Sequence, residues 1–367
     1  MPTPESPPLP PSPSIRGGFI LCPCHPGAEA ALASRQAAVL PAFTRGVWRR
    51  GLATFRIGPE ACDPPDDFCP DLVFAHTVVR SLGQVAGGSV AELAAQTSTL
   101  TGPVPWNAIH VWKRDDRLEA DAADVRVALA AAAGVVLPAD PVARPGDLVL
   151  DCAIDSSDRW WVGWHRAATA ASCWPGGAYP QPLPAGKVSR AWLKLDEAIA
   201  TFGLVLRPGE RAIELGAAPG GACLRLLEAG LDVVGVDAAV VDPAVAALPR
   251  FEQWRMRARE VPLRRMKGCD WLLTDMNIDP ESTMGALARV LGGGVRPAGV
   301  IATLKLPDWS RAAELPAWLD AFRGWGYEPR ARQLSTGGRE LCVVATLRPR
   351  RRVTSPRGRR AIRRPEA

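Results

Sequence analysis

No uncharged apolar run in the 367 residues is long enough to cross a bilayer, and the opening segment, residues 1–14, has neither a basic start nor an apolar core. A membrane span, a secretory signal and a transit leader are therefore not expected, which points to a cytoplasmic protein. A disulfide framework is not expected either. The nine cysteines are odd in number and scattered, and Cys22 and Cys24 lack the second pair that a zinc site needs. Reduced, mostly buried thiols and no metal follow from that spacing. The first half of the chain also lacks an RNP-like signature for stacking bases.

What is present is the profile of an α/β protein. Apolar residues make up 47% of the chain, and 367 residues exceed one typical core, so two domains with tails are expected. Residues 1–16 form a Pro/Ser-rich leader expected to be disordered. An α+β subdomain over 17–100 offers strands at 18–24 and 50–57 and helices at 27–38 and 90–95, with a turn-rich stretch around Asp63 and apolar residues 72–79. A second subdomain, 101–172, offers strands at 108–113, 148–154 and 160–164 and a helix at 118–133. The Gly- and Pro-rich residues 173–188 read as a linker.

From 189 to 348 helix and strand alternate. Helices are expected at 191–202, 222–229, 284–291 and 312–325, and strands at 212–215, 233–236, 271–274, 299–305 and 341–347. That rhythm predicts a doubly wound, mostly parallel sheet. Residues 349–367 are a basic tail expected to be disordered. Together with Arg348 they hold most of the excess charge and suit either a polyanion or a solvated extension.

The strongest local signal is AIELGAAPGG, residues 212–221: an apolar strand, Glu214, a turn at Gly216, and Gly220 and Gly221 opening a helix. Glycines there let backbone approach a ligand without a clashing Cβ. The spacing is not G-x-G-x-x-G, and no Lys followed by Ser or Thr closes the loop, so dinucleotide and Walker-type readings lose support. Asp237, ending LDVVGVD, can accept hydrogen bonds from ribose hydroxyls or simply cap the next segment. Gly292, Gly293 and Gly294 read as a helix-terminating turn.

Four charged residues stand at element ends: Lys194 in SRAWLKLDEA, Asp275 in LTDMN, Lys305 in TLKLP and Glu340 in ARQLSTGGREL. In an open parallel sheet the carboxyl ends of strands share one crevice, so these residues can meet there. Asp196 and Glu197 nearby read as helix-surface residues. The set resembles the Lys-Asp-Lys-Glu tetrad of FtsJ-type ribose 2′-O-methyltransferases. With LGAAPGG, the motifs resemble the bacterial large-subunit (23S) rRNA cytidine 2′-O-methyltransferase family RlmM, over residues 18–348 and most closely in the second half.

The resemblance implies a Rossmann-like S-adenosylmethionine-dependent methyltransferase domain preceded by an α+β THUMP/ferredoxin-like RNA-binding region. It implies S-adenosyl-L-methionine as cofactor, with contacts from Ser189, Glu214, Gly216, Ala218, Pro219, Gly220, Gly221, Asp237, Glu260 and Asp275. Ala218 stands where the family usually has cysteine, and Glu260 is the nearest carboxylate for the adenine amino group. The expected catalytic set is Lys305, Lys194, Asp275 and Glu340. Lys305 would activate the 2′-hydroxyl, its proton loosened by desolvation and by the charge of Lys194. Asp275 and Glu340 would hold the lysines in place and, as opposite charges, raise their pKa, so the balance stays open at this point. The partner implied is 23S rRNA or its precursor particle, with no membrane and no metal, and a monomer is expected. A same-fold methyltransferase of another RNA or of a small molecule, and a non-catalytic RNA-binding protein, are the alternatives. In the first half, Trp112, Lys113, Arg114, Trp160, Trp161 and Trp164 mix aromatic and basic character, as core tryptophans or as an RNA-docking face.

Overall fold

The computed structural model describes residues 18–62, 64–136 and 138–348. The expected leader and basic tail lie outside the described residues, apart from Arg348. Both halves are built on seven-stranded sheets, and a shared apolar core joins them.

In the first half, β1 (Phe19–Pro23), α1 (Glu29–Val39), β2 (Phe43–Arg49) and β3 (Leu52–Ile57) are followed by β4 (Val79–Ala86), α2 (Val90–Thr101), β5 (Ala108–Lys113), α3 (Ala122–Ala133), β6 (Leu148–Ser156) and β7 (Arg159–Arg166). The strand order is β2-β3-β1-β4-β7-β6-β5, antiparallel except for the β5/β6 pair. The sheet runs unbroken across residue 100, where a subdomain boundary was expected. β4 pairs with β7, and α2 packs on α3, so the chain from residue 79 onward forms a single βαβαββ unit. Ser89 and Glu92 form a reciprocal capping box that starts α2.

The expected linker is only partly loose. Cys173 and Trp174 are buried against Ala108 and Val149 of the first sheet. A Cβ on Gly177 would lie 2.2 Å from the His76 carbonyl oxygen, so the backbone there is pressed onto the first half. Residues 180–186 are the exposed part.

The second half contains α4 (Ala191–Phe202), β8 (Arg211–Leu215), α5 (Gly221–Glu228), β9 (Asp232–Val236), α6 (Pro243–Ala246), β10 (Phe251–Trp254), α7 (Leu263–Met266), β11 (Trp271–Thr274), α8 (Pro280–Gly292), β12 (Gly299–Lys305), α9 (Leu315–Gly324), β13 (Tyr327–Arg332) and β14 (Glu340–Leu347). The order is β10-β9-β8-β11-β12-β14-β13. β14 runs antiparallel to both its neighbours, and the other pairings are parallel. Alternate strand residues serve opposite faces. Ala212, Val233 and Leu273 pack with α4 and α5, while Ile213, Val234 and Leu272 pack with α8 and α9. Burial on both faces explains the unbroken apolar runs. The helix expected over 312–325 divides into a 3-10 turn, Trp309–Glu314, and α9, because Pro316 restarts the helix in its first turn.

The chain runs outward through β8, β9 and β10, then returns to place β11 beside β8. This reversal opens a crevice at the carboxyl ends of β8 and β11. No described helix is long and apolar enough to cross a membrane. Seven cysteines are buried free thiols; Cys62 and Cys69 are exposed.

A buried ionic group lies within the first sheet. His165 is flanked by Asp151 Oδ2, 2.5 Å from Nδ1, and by the Ser172 carbonyl oxygen, 2.7 Å from Nε2. Both neighbours accept, so only the imidazolium satisfies both. Burial pushes the His165 pKa down, but the Asp151 charge and the two hydrogen bonds overcome it and hold the value above the usual range. The resulting stability is complete below about pH 6.5, the unfolded value, and is lost as pH rises through the raised folded value. His110, beside the same Asp151, is pushed down to about 4 by burial and acts with the opposite sign, costing stability as pH falls from about 6.5 toward that value. We predict that His165→Gln destabilises by about 3–5 kcal/mol near pH 6. The gap to wild type should narrow as pH is raised to 9. A gap independent of pH in chemical denaturation would overturn the charged assignment.

Candidate active site

The glycine loop is held by close contacts. Gly216 has φ +86°, and a Cβ there would lie 2.8 Å from Met276 Cγ and 3.1 Å from the Asp275 carbonyl oxygen. Its N–H donates to Val236, which ties the loop to the end of β9. Gly221 opens α5, and a Cβ on it would lie 2.1 Å from Ser189 Oγ and 3.0 Å from Trp192 N. Gly221 thus lets the starts of α4 and α5 meet, while Gly220, at φ +110°, packs against Val245 of α6.

Beside the loop lies a cleft of about 660 Å³, bounded by Gly216 and Ala218 on one side and by Met256 and Ala258 on another, with Asp237 and Asp275 as its carboxylates. Asp237 Oδ2 accepts the Ala218 N–H at 3.0 Å and Oδ1 the Ala239 N–H at 2.9 Å, so its carboxylate is oriented by backbone. The expected cofactor set divides accordingly. Gly216, Ala218, Asp237 and Asp275 line the cleft, whereas Ser189, Pro219, Gly220 and Gly221 do not.

Two expectations need correction. Glu260 does not line the cleft; it is exposed and caps its own 3-10 turn by accepting the Arg257 N–H at 3.1 Å. Glu214 is buried beneath the loop, where it accepts from Cys223 Sγ at 2.9 Å, and burial pushes its carboxyl up to about 8. It borders a small crevice with Lys194 and Glu340 instead. Met256, Ala258 and Ile278, none of them marked by a motif, also line the cleft, as does Asn277 at the end of LTDMN. The first two follow β10, a four-residue edge strand with no apolar run to reveal it.

The structure brings Lys194, Asp275, Lys305 and Glu340 into one closed ring. Lys194 Nζ lies 2.5 Å from Asp275 Oδ2 and 3.1 Å from Glu340 Oε1; Lys305 Nζ lies 2.9 Å from Asp275 Oδ1 and 2.5 Å from Glu340 Oε2. Sheet register imposes half of this arrangement, because Lys305 ending β12 is paired directly with Glu340 starting β14. Burial pushes the Asp275 carboxyl up, but Lys194 and Lys305 overcome it and hold it below the usual carboxylate range. Burial likewise pushes Lys305 down, but Asp275 and Glu340 outweigh it and hold the ammonium above the usual lysine value. Of the opposed influences on the Lys305 proton, the two contacting carboxylates prevail over desolvation.

Asp196 and Glu197 are also corrected. Glu197 is 3% exposed and accepts four hydrogen bonds, from the N–H and hydroxyl of Ser335 at 2.7 and 2.9 Å and from those of Thr336 at 2.8 and 2.6 Å. Asp196 accepts from the Tyr179 hydroxyl at 2.5 Å and from Arg225 Nε at 2.7 Å. One turn of α4 thus fixes the loop that delivers Glu340. In the first half Trp112, Trp160 and Trp164 are buried, Lys113 donates to the Leu118 carbonyl oxygen, and Arg114 pairs with Asp155, so those residues form no aromatic and basic face.

Residues 187–288 match the FtsJ-like methyltransferase family. The chain is 34% identical over 180 residues to the ribosomal RNA large subunit methyltransferase M of Halorhodospira halophila, covering 47% of this chain and 51% of the relative. It is 31% identical over 216 residues to the protein of that name from an Azoarcus species, covering 56% and 58%, and 33% identical over 201 residues to that of Xylella fastidiosa, covering 52% and 56%. The aligned regions thus span about half the length of these curated relatives. The resemblance drawn from the motifs is borne out at this level, and the FtsJ-like match places Lys194, the glycine loop, Asp237 and Asp275 inside its span.

The Glu197 clamp makes a testable claim. Glu197→Gln puts an amide N–H₂ where donors already converge, and each charge-assisted bond lost removes about 1.5–3 kcal/mol. We predict a lower melting temperature and faster amide exchange at Ser335 and Thr336. Unchanged protection of both amides would refute the clamp.

Proposed function

We propose that this protein is an S-adenosylmethionine-dependent RNA 2′-O-ribose methyltransferase that modifies a cytidine of large-subunit (23S) rRNA. The observation that carries the reading is the closed Lys194–Asp275–Lys305–Glu340 ring at the rim of a nucleoside-sized cleft. The names of the relatives support the substrate class, and the FtsJ-like match supports the cofactor. The residues present fit that cofactor. Asp237 keeps lone pairs beyond its two backbone bonds for ribose hydroxyls, and Val236, Met256 and Ala258 offer apolar walls to a purine. The α+β character of the first half supports its reading as the THUMP/ferredoxin-like RNA-docking region.

Bound S-adenosylmethionine supplies an electrophilic methyl group and a positive charge that disappears on transfer. The chain's part is to hold the ribose and take its proton. Lys194 and Glu340 fix the far side of the ring, while Asp275 borders both ring and cleft. Lys305 Nζ is the proton acceptor for the 2′-hydroxyl. It starts as an ammonium, so its proton must first pass to solvent, and the desolvation produced when RNA covers this half-buried group favours that loss. Positioning contributes alongside the base.

Two measurements test the reading. Because only neutral Lys305 accepts a proton, single-turnover transfer should rise about tenfold per pH unit below its pKa, across pH 6–9. A flat profile removes Lys305 as base. Lys305→Ala should cut transfer by about 10²–10⁴-fold while calorimetric cofactor affinity holds. A ribose-methylation map of rRNA unchanged in both a deletion strain and a Lys305→Ala strain would rule out the rRNA substrate and leave another RNA, or RNA binding without catalysis.

A further inference from the structure

Positive charge is unevenly placed in this chain. Residues 349–367 hold eight arginines against Glu366, and residues 1–17 balance Glu5 with Arg16, so of the formal +6 the remaining residues, 18–348, carry −1. Within that slightly acidic body, residues 250–267 hold seven Lys or Arg against two Glu, a net +5. Arg255, Arg257, Arg259, Arg264, Arg265 and Lys267 are all exposed. Arg265 has Glu252 at 3.5 Å; among the described residues no ion pair reaches the other five. Elsewhere exposed arginines are commonly paired, as Arg323 is with Asp320 at 2.7 Å and Arg348 with Glu328 at 2.8 Å.

These cations do more than protect a sheet edge. Edge strand β10 itself carries Glu252 and Gln253, and the run of cations begins beyond it, on the side where the strands' carboxyl ends meet the cleft. Arg257 and Arg259 line that cleft together with Asp275 of the ring. The backbone beneath is anchored by other arginines: Arg211 donates to the carbonyl oxygens of Lys267 and Arg265 at 3.2 and 3.3 Å, and Arg289 to that of Val261 at 2.6 Å. Arg265 stacks on Trp254, 3.9 Å from the ring centroid. A fixed backbone thus presents a row of cations, five of them without an ion pair among the described residues, which repel one another until an anion arrives.

We propose that residues 255–267 form a docking ridge for the sugar-phosphate backbone of the RNA substrate. It lies on the same crevice as the Lys–Asp ring, so that one run of nucleotides can be held at the ridge while another presents its ribose to Lys305. Guanidinium forks match phosphate oxygens two at a time, and regularly spaced phosphates are the anion that a row of this length suits. The inference rests on the RNA methyltransferase reading above.

The test uses the full chain and unmethylated 23S rRNA transcribed in vitro, comparing wild type with the combined Arg255→Gln, Arg264→Gln and Lys267→Gln variant, none of whose altered side chains lines the cleft. The slope of log K against log salt should fall in magnitude by about 2–3, for three lost phosphate contacts. The methylation KM should rise with kcat retained, and calorimetric affinity for S-adenosylmethionine and the melting temperature should stay unchanged. Equal slopes and equal KM, with the wild type binding and methylating rRNA, overturn the ridge alone. A wild type that binds no RNA overturns the ridge and the reading beneath it. Loss of an acidic protein partner with the RNA slope intact also overturns it.

Discussion

Two lysines and two carboxylates, each lysine touching both acids, set the terms for the rest of the second half. The ring closes only if α4, β11, β12 and β14 bring their ends within a side chain's reach. Antiparallel β14, inserted between β12 and β13, places Glu340 directly opposite Lys305. Because charges cancel around the ring, it can stand at the rim of the cleft without an unpaired ion, which would be costly in this partly buried place. The same balance explains why Lys305 retains its proton in the resting protein.

Much of this was legible in the residues. Strands 108–113, 271–274 and 299–305 and helix 191–202 have the bounds expected from their apolar patterns. The central strands read clearly because both faces are buried. The unrecognised strands lack that signature. β13, YEPRAR, alternates buried and exposed residues and carries Pro329, as suits an edge. β2 exposes Arg45 and Arg49. Without β10, the cleft residues that follow it had no strand end to be placed on.

The acids were harder to read. Lys194, Asp196 and Glu197 look alike along α4, and which of them are surface charges depends on partners far away in sequence: Ser335 for Glu197, Tyr179 and Arg225 for Asp196. A helical pattern shows which face a residue occupies, not what approaches it from another element. Glu260 erred the other way: a carboxylate in the expected neighbourhood was already committed to its own turn.

The segment from Arg332 to Glu340 touches every part of the molecule that matters here. Arg332 donates to the carbonyl oxygens of Ala75 and His76, and the Gln333 N–H donates to Val73, all in the first half. Ser335 and Thr336 are gripped by α4, and Glu340 closes the ring. Phe74 and Trp309 meet edge to face across the same boundary, with ring centroids 6.5 Å apart. The two halves are therefore not a cutter and a detachable handle. Severing the first would strip the backbone anchors from the segment that aims an acid of the ring, so a truncated chain would report the lost aim of Glu340 whatever else the first half does.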